Sequence, residues 1–154
     1  MSGAGVPDFT LEDARDLKLG VVASRWHTTI CDTLVANAER VARAAGVDQI
    51  TVVRCAGAME LPVVAQALAR SHDAVVALGV VIRGETPHFE YISNQTSLGI
   101  GQAALETGIP ITFGVITVNT DEQAIARSGN NIENKGYEAA MAAVEMVQLL
   151  RQMS

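Results

Sequence analysis

The chain has 154 residues, enough for one domain and one substantial core, and is 49% apolar but only 4% aromatic. Its formal charge of −6 argues against nucleic acid as a partner, since such binding rests on clustered Lys and Arg, and no basic run suits a membrane surface. No stretch approaches the ~20 apolar residues of a membrane span, and no basic segment followed by an apolar one opens the chain, so the expected location is cytoplasmic.

Residues 1–16 read as an irregular N-terminal arm, with Val6-Pro7-Asp8-Phe9 either an edge strand or a reach toward a neighbouring subunit. Lys18 to Ser24 (KLGVVAS) is the first core strand. Thr28 to Ala45 carries apolar residues at Ile30, Leu34, Val41 and Ala45, a helical stripe that Gly46 stops. A second short strand, Ile50 to Cys55, leads through Ala56-Gly57-Ala58-Met59 into a helix from Glu60 to Ser71, where Pro62 is tolerated in the first turn. Ala74 to Ile82 (AVVALGVVI) is an apolar run broken only by Gly79, which suits a strand buried on both faces. It stops at Arg83-Gly84-Glu85-Thr86. Thr86 can then cap a helix that begins at Pro87 and runs to about Glu106, loosened by Gly99 and Gly101. Ile111 to Val118 is the fourth strand. Thr120 and Gln123 form a capping box for a short helix to Arg127. After the polar loop Ser128 to Asn134, Lys135 to Met153 is a last helix with Ala140, Val144, Val147 and Leu150 on one side.

Strand–helix alternation over 1–154 predicts a single α/β domain. The expected architecture is a three-layer, flavodoxin-like sandwich, with a central four-stranded parallel sheet and helices on both faces. Ligands bind such sheets at the carboxyl ends of the strands. The loops there carry Arg25, Trp26 and His27 after strand one, Gly57 to Glu60 after strand two, and Gly84, Glu85, Thr86 and His88 after strand three. The third is a strand, a glycine turn and a helix N-terminus, whose free N–H groups and dipole favour phosphate or carboxylate. Trp26, the only tryptophan, is either a plug over the sheet edge or a stacking platform for a flat heterocycle. Glu60 either compensates a helix dipole or accepts hydrogen bonds from a polyol. His88 beside an anion cradle is a candidate proton carrier. Arg127 and Lys135 alone read as surface charge. Cys31 and Cys55 read as reduced, partly buried thiols, and three unpaired histidines leave no metal site to propose.

Four segments appear in a fixed order: GAMELP (Gly57 to Pro62), ALGVVIRGETPHFEY (Ala77 to Tyr91), FGVITVNTDEQAIAR (Phe113 to Arg127) and NKG (Asn134 to Gly136). From about Leu19 to the last helix, the chain resembles the 6,7-dimethyl-8-ribityllumazine synthase family of riboflavin biosynthesis. The resemblance implies two small-molecule substrates, 5-amino-6-(D-ribitylamino)uracil and 3,4-dihydroxy-2-butanone 4-phosphate, and no cofactor or metal. It places Trp26 against the pyrimidine and Ala58, Met59 and Glu60 at its edge and ribityl chain, with Val80, Val81 and Ile82 lining the ring. It gives Gly84, Glu85 and Thr86 to the phosphate, which is also where inorganic phosphate would bind, and His88 to proton transfer. Phe113, Arg127 and Lys135 would enter from the adjacent subunit. The family forms pentamers, and in many members a 60-subunit shell, which the short Ser128 to Asn134 loop favours here. Three positions depart from the usual pattern: His27, Pro87, and Glu85, whose carboxylate is expected to face solvent. Two other classes stand beside this reading. A non-catalytic lumazine or flavin carrier would not need His88 with Arg127 and Lys135. An electron carrier holding flavin mononucleotide would need a Ser/Thr-rich loop where Arg25-Trp26-His27 stands.

Overall fold

The computed structural model describes residues 4–154. Strands β1 (Lys18–Ser24), β2 (Gln49–Cys55), β3 (Ala74–Ile82) and β4 (Ile111–Val118) alternate with helices α1 (Thr28–Ala44), α2 (Leu61–Ala69), α3 (His88–Thr107), α4 (Asp121–Ala126) and α5 (Lys135–Met153). All strand pairs are parallel, in the order β2-β1-β3-β4. The chain winds outward from β1 to β2, then crosses back to β3 and on to β4. The switch in direction lies between β1 and β3, where ligands of such sheets bind.

Strand β3 is covered on both faces, as its apolar run requires, while the edge strand β2 is largely exposed. Along β3, Val76, Leu78 and Val80 enter the core under α1 and α5, with Leu34, Val41, Ala140 and Val144. Val75, Ala77 and Val81 enter the core under α2 and α3, with Leu61, Ala65 and Ile100. Successive side chains point to opposite faces, so only a strand apolar at every position fills both layers. This is the expected flavodoxin-like α/β sandwich.

Several expectations shift locally. The turn after β2 is a 3-10 turn over Ala58–Glu60, so α2 starts at Leu61 and ends at Ala69. Pro87, not Thr86, holds the cap position of α3, and Thr86 Oγ1 accepts only a long 3.4 Å hydrogen bond from His88 N–H. The capping box at α4 is half formed: Thr120 Oγ1 accepts from Gln123 N–H, but Gln123 Oε1 reaches one residue further back, to Asn119 N–H. The stripe on α5 ends at Val147, because Leu150 is 39% exposed. Val6 to Phe9 forms no strand, though Phe9 packs on the core. Glu12 and Asp16 bind Gln148 and Arg151 of α5, so this part of the arm lies along its own chain. The first three residues of the expected arm lie outside the described residues.

Candidate active site

A cavity of about 350 Å³ opens at the carboxyl ends of β1, β2 and β3. Its floor is the last turn of β3: Val80, Val81 and Ile82. These residues are packed from both sides, so the floor is rigid.

Trp26 and His27 form one wall from the loop after β1. The loop is tied down by Arg25 N–H donating to Cys55 O at 3.0 Å and by Thr28 Oγ1 donating to Arg25 O at 2.9 Å. His27 enters α1 with φ 54° and ψ 57°, a left-handed conformation uncommon outside glycine and asparagine. Trp26 is 67% exposed. The indole is therefore open to solvent at the cavity mouth. Its edge rests against Gly57, where an added Cβ would lie 3.2 Å from Trp26 Cδ1 and 3.2 Å from Glu60 Oε2. Glycine at 57 therefore lets the indole and the carboxylate close on one backbone.

Ala58, Met59 and Glu60 make the second wall. Glu60 Oε2 accepts a 2.8 Å hydrogen bond from Gly57 N–H, which closes the 3-10 turn and aims the carboxylate. One oxygen thus secures the turn, while Glu60 stays exposed at the cavity.

The third wall is the start of α3, where His88 and Ile92 face the cavity one helical turn apart. Between Ile82 and His88 run Gly84, Glu85 and Thr86, all exposed. Among the described residues their backbone N–H groups donate to no acceptor. A Cβ built on Gly84 meets nothing within 4 Å, so the turn is open to an incoming anion. Glu85 is exposed, as expected.

Phe113, Arg127 and Lys135 do not line this cavity. Phe113 stands near the amino end of β4, opposite Ala77, with its ring partly exposed. Arg127 follows α4 and donates from Nη1 to Gln123 O at 3.0 Å. Lys135 opens α5, pairs with Glu138 at 3.0 Å and donates its N–H to Arg127 O at 3.1 Å. The two cations therefore belong to one rigid corner, apart from the cavity of their own chain.

Of the lining residues, Ile92 was not singled out from the sequence, while His27 and Gly57 were placed on the ligand-binding rim but given no contact. Ile92 carried a usable signal, its four-residue spacing from His88. The left-handed turn at His27 carried none, because histidine gives little sign of it. Burial pushes both thiols up: Cys31 chiefly by burial alone, Cys55 by burial and then by the nearby Glu60 carboxylate. Both are neutral near pH 7 and poor nucleophiles. The chemistry left to the site is stacking on indole, hydrogen bonding to a carboxylate, anion binding on free amides, and proton transfer through imidazole.

A family model described as 6,7-dimethyl-8-ribityllumazine synthase matches residues 16–151. Curated proteins with that name resemble the chain over nearly its full length. One from Mycolicibacterium gilvum is 54% identical over 100% of this chain and 98% of the relative. One from Mycolicibacterium vanbaalenii is 53% identical over 98% of each, and one from Mycobacteroides abscessus 52% over 99% of this chain and 97% of the relative. A GDP-L-fucose synthetase structure from Naegleria fowleri, at TM-score 0.43 and 12% identity over 99% of this chain and 48% of the other, is too distant to bear on function.

Proposed function

The chain belongs to the 6,7-dimethyl-8-ribityllumazine synthase family, and from that premise we propose how its residues divide the work. The reaction is the condensation of 5-amino-6-(D-ribitylamino)uracil with 3,4-dihydroxy-2-butanone 4-phosphate, releasing phosphate and water, in riboflavin biosynthesis. The observation that carries the assignment is that Trp26, Glu60 and His88, from three different loops, line one cavity. Its volume lies at the lower end of the ~300–1,000 Å³ usual for small-molecule sites.

Trp26 stacks on the pyrimidine over the floor of Val80, Val81 and Ile82. Ala58 and Met59 hold its edge, and Glu60 accepts from the ribityl hydroxyls, each of which is a donor. The amides of Gly84, Glu85 and Thr86 take the phosphate of the second substrate, helped by the helix dipole of α3. The uracil amine condenses with the ketone to give an imine and one water, phosphate is eliminated, and ring closure of the second amine onto the remaining carbonyl expels a second water. His88 moves protons in these steps, a contribution of roughly 10²–10⁴-fold. Fixing two reactants side by side contributes more, on the order of 7–11 kcal/mol in ideal cases.

Phe113, Arg127 and Lys135 complete the site of an adjacent subunit. Their placement outside their own chain's cavity supports this, as does the rigid corner that holds both cations. The working form is then at least a pentamer, and the short 128–134 loop favours the 60-subunit shell. Two free, buried thiols suit a reducing cytoplasm.

The test is to mix purified protein with both substrates and follow lumazine absorbance and phosphate release together. Absence of both would overturn the site assignment. Sedimentation velocity reads the assembly: a lone monomer would overturn the shared site, and a pentamer alone would overturn the shell.

A further inference from the structure

Strand β3 ends at Ile82, yet Arg83 is still bound to the sheet, its N–H donating to Val118 O at 2.9 Å. Its side chain has three partners. Nε donates to Asn119 Oδ1 at 2.8 Å, Nη1 donates to Glu90 Oε1, and the guanidinium carbon lies 4.2 Å from the centroid of the Phe89 ring. Asn119 is itself immobilised by Gln123 Oε1, which accepts from its N–H at 2.8 Å. One end of this clamp is therefore anchored beyond β4, and the other grips Phe89 and Glu90, the two residues after His88.

The connecting turn has little else to hold it. Gly84, Glu85 and Thr86 donate no backbone hydrogen bond among the described residues, and the long bond from His88 N–H to Thr86 Oγ1 is a weak cap. An exposed ion pair adds little to overall stability, with a median of ~0–1 kcal/mol. The consequence of this one is local orientation. A planar guanidinium can lie flat on a ring while its edges take two acceptors; an ammonium cannot. The Arg83 hydrogen bond also holds the Glu90 carboxyl below the usual range, so the pair stays charged at neutral pH.

We propose that Arg83 is a positioning residue: by clamping Phe89 and Glu90 to Asn119, it fixes the start of α3 and with it the aim of His88 into the cavity. This rests on His88 being the proton carrier proposed above. Arg83 acts through His88 and not as a ligand for the phosphate, since it does not line the cavity and its Nε and Nη1 are turned to Asn119 and Glu90.

The test is steady-state kinetics on the full-length enzyme with Arg83→Ala, Glu90→Gln, His88→Ala and the double variants that add His88→Ala to each. A misplacement of about 1 Å costs up to ~10²-fold. Arg83→Ala is accordingly expected to lower kcat about tenfold and Glu90→Gln severalfold, with KM for the pyrimidine within about twofold of native. In the His88→Ala background neither change should lower kcat further, because the residue they aim is gone. If Arg83→Ala does not fold, Glu90→Gln with its double variant decides alone. An unchanged kcat in both single variants overturns the proposal, as does the same fold-loss with or without His88. So does a tenfold weaker inhibition by inorganic phosphate at unchanged kcat, which would make Arg83 a phosphate ligand. If His88→Ala itself leaves kcat untouched, the reading of His88 falls; if only the Arg83 and Glu90 variants do, that reading stands without the clamp.

Discussion

Gly136 presses on the backbone of Leu34 so closely that a Cβ at 136 would lie 2.0 Å from the Leu34 carbonyl oxygen. This contact is where α5 meets α1, and it explains why glycine follows Asn134 and Lys135. Asn134 Oδ1 caps α5 by accepting from Gly136 N–H at 2.8 Å and Tyr137 N–H at 3.2 Å. Lys135 is then presented at a fixed corner beside Arg127. Gly136→Ala cannot be absorbed by a rotamer change, because the atom it meets is backbone. It should destabilise the fold by about 3 kcal/mol or more. Urea unfolding of the variant against native protein reads this directly, and equal midpoints would show that the helices slide apart freely.

Trp26 is the only tryptophan and is largely exposed at the cavity. Its emission should therefore report the pyrimidine site alone. Titration with the ribitylaminouracil is expected to quench it, and stacking of a base on an aromatic ring is worth ~1–3 kcal/mol. Trp26→Ala should then raise KM for the pyrimidine about tenfold while leaving thermal stability nearly unchanged. A large fall in Tm with unchanged KM would make Trp26 a structural plug after all.

Much of this was legible in the sequence because β3 is a continuous apolar run and β1 and β4 are largely apolar, each bounded by turns. β1, β3 and β4 have the bounds the sequence suggests, and β3 places alternate residues in two cores. Helix starts were harder. The 3-10 turn at Ala58–Glu60 has no apolar period to announce it, being closed by Glu60 N–H to Gly57 O and by the Glu60 side chain. Leu150 fits the α5 stripe but lies exposed, and no pattern within one helix says where its cover ends. The Arg83 clamp depends on Asn119, 36 residues away, a pairing visible only once β3 and β4 are side by side.

Glu60 offers a substitution that separates its two tasks. In Glu60→Gln the amide oxygen can still accept from Gly57 N–H, so the turn should survive and Tm should shift by no more than about 2 °C. The exposed carboxylate is lost, and a hydrogen bond to a charged group is worth ~1.5–3 kcal/mol. KM for the ribityl-bearing pyrimidine should rise about tenfold or more. An analogue without the ribityl chain should bind both proteins equally. Equal loss for both ligands would place Glu60 on the ring instead of the polyol.

Cys31 and Cys55 give a stability change with a defined pH window. Both side chains are buried, Cys31 with Sγ 3.2 Å from Trp26 O and Cys55 with Sγ 3.4 Å from Gly57 O, and burial holds both thiols above the ordinary 9.0. In the unfolded chain they lose protons near 9.0; in the folded chain they keep them to higher pH. Their contribution is therefore complete below about pH 9 and is lost as pH rises toward the folded values. The urea midpoint should fall as pH rises past about 9, and less so in Cys31→Ala and Cys55→Ala. Consistent with this, a disulfide-exchange dye at pH 8 should react slowly with native protein and rapidly in urea. Native thiols that react as fast as unfolded ones would mean that the loops carrying Trp26 and Glu60 open readily, despite the hydrogen bonds that tie them down.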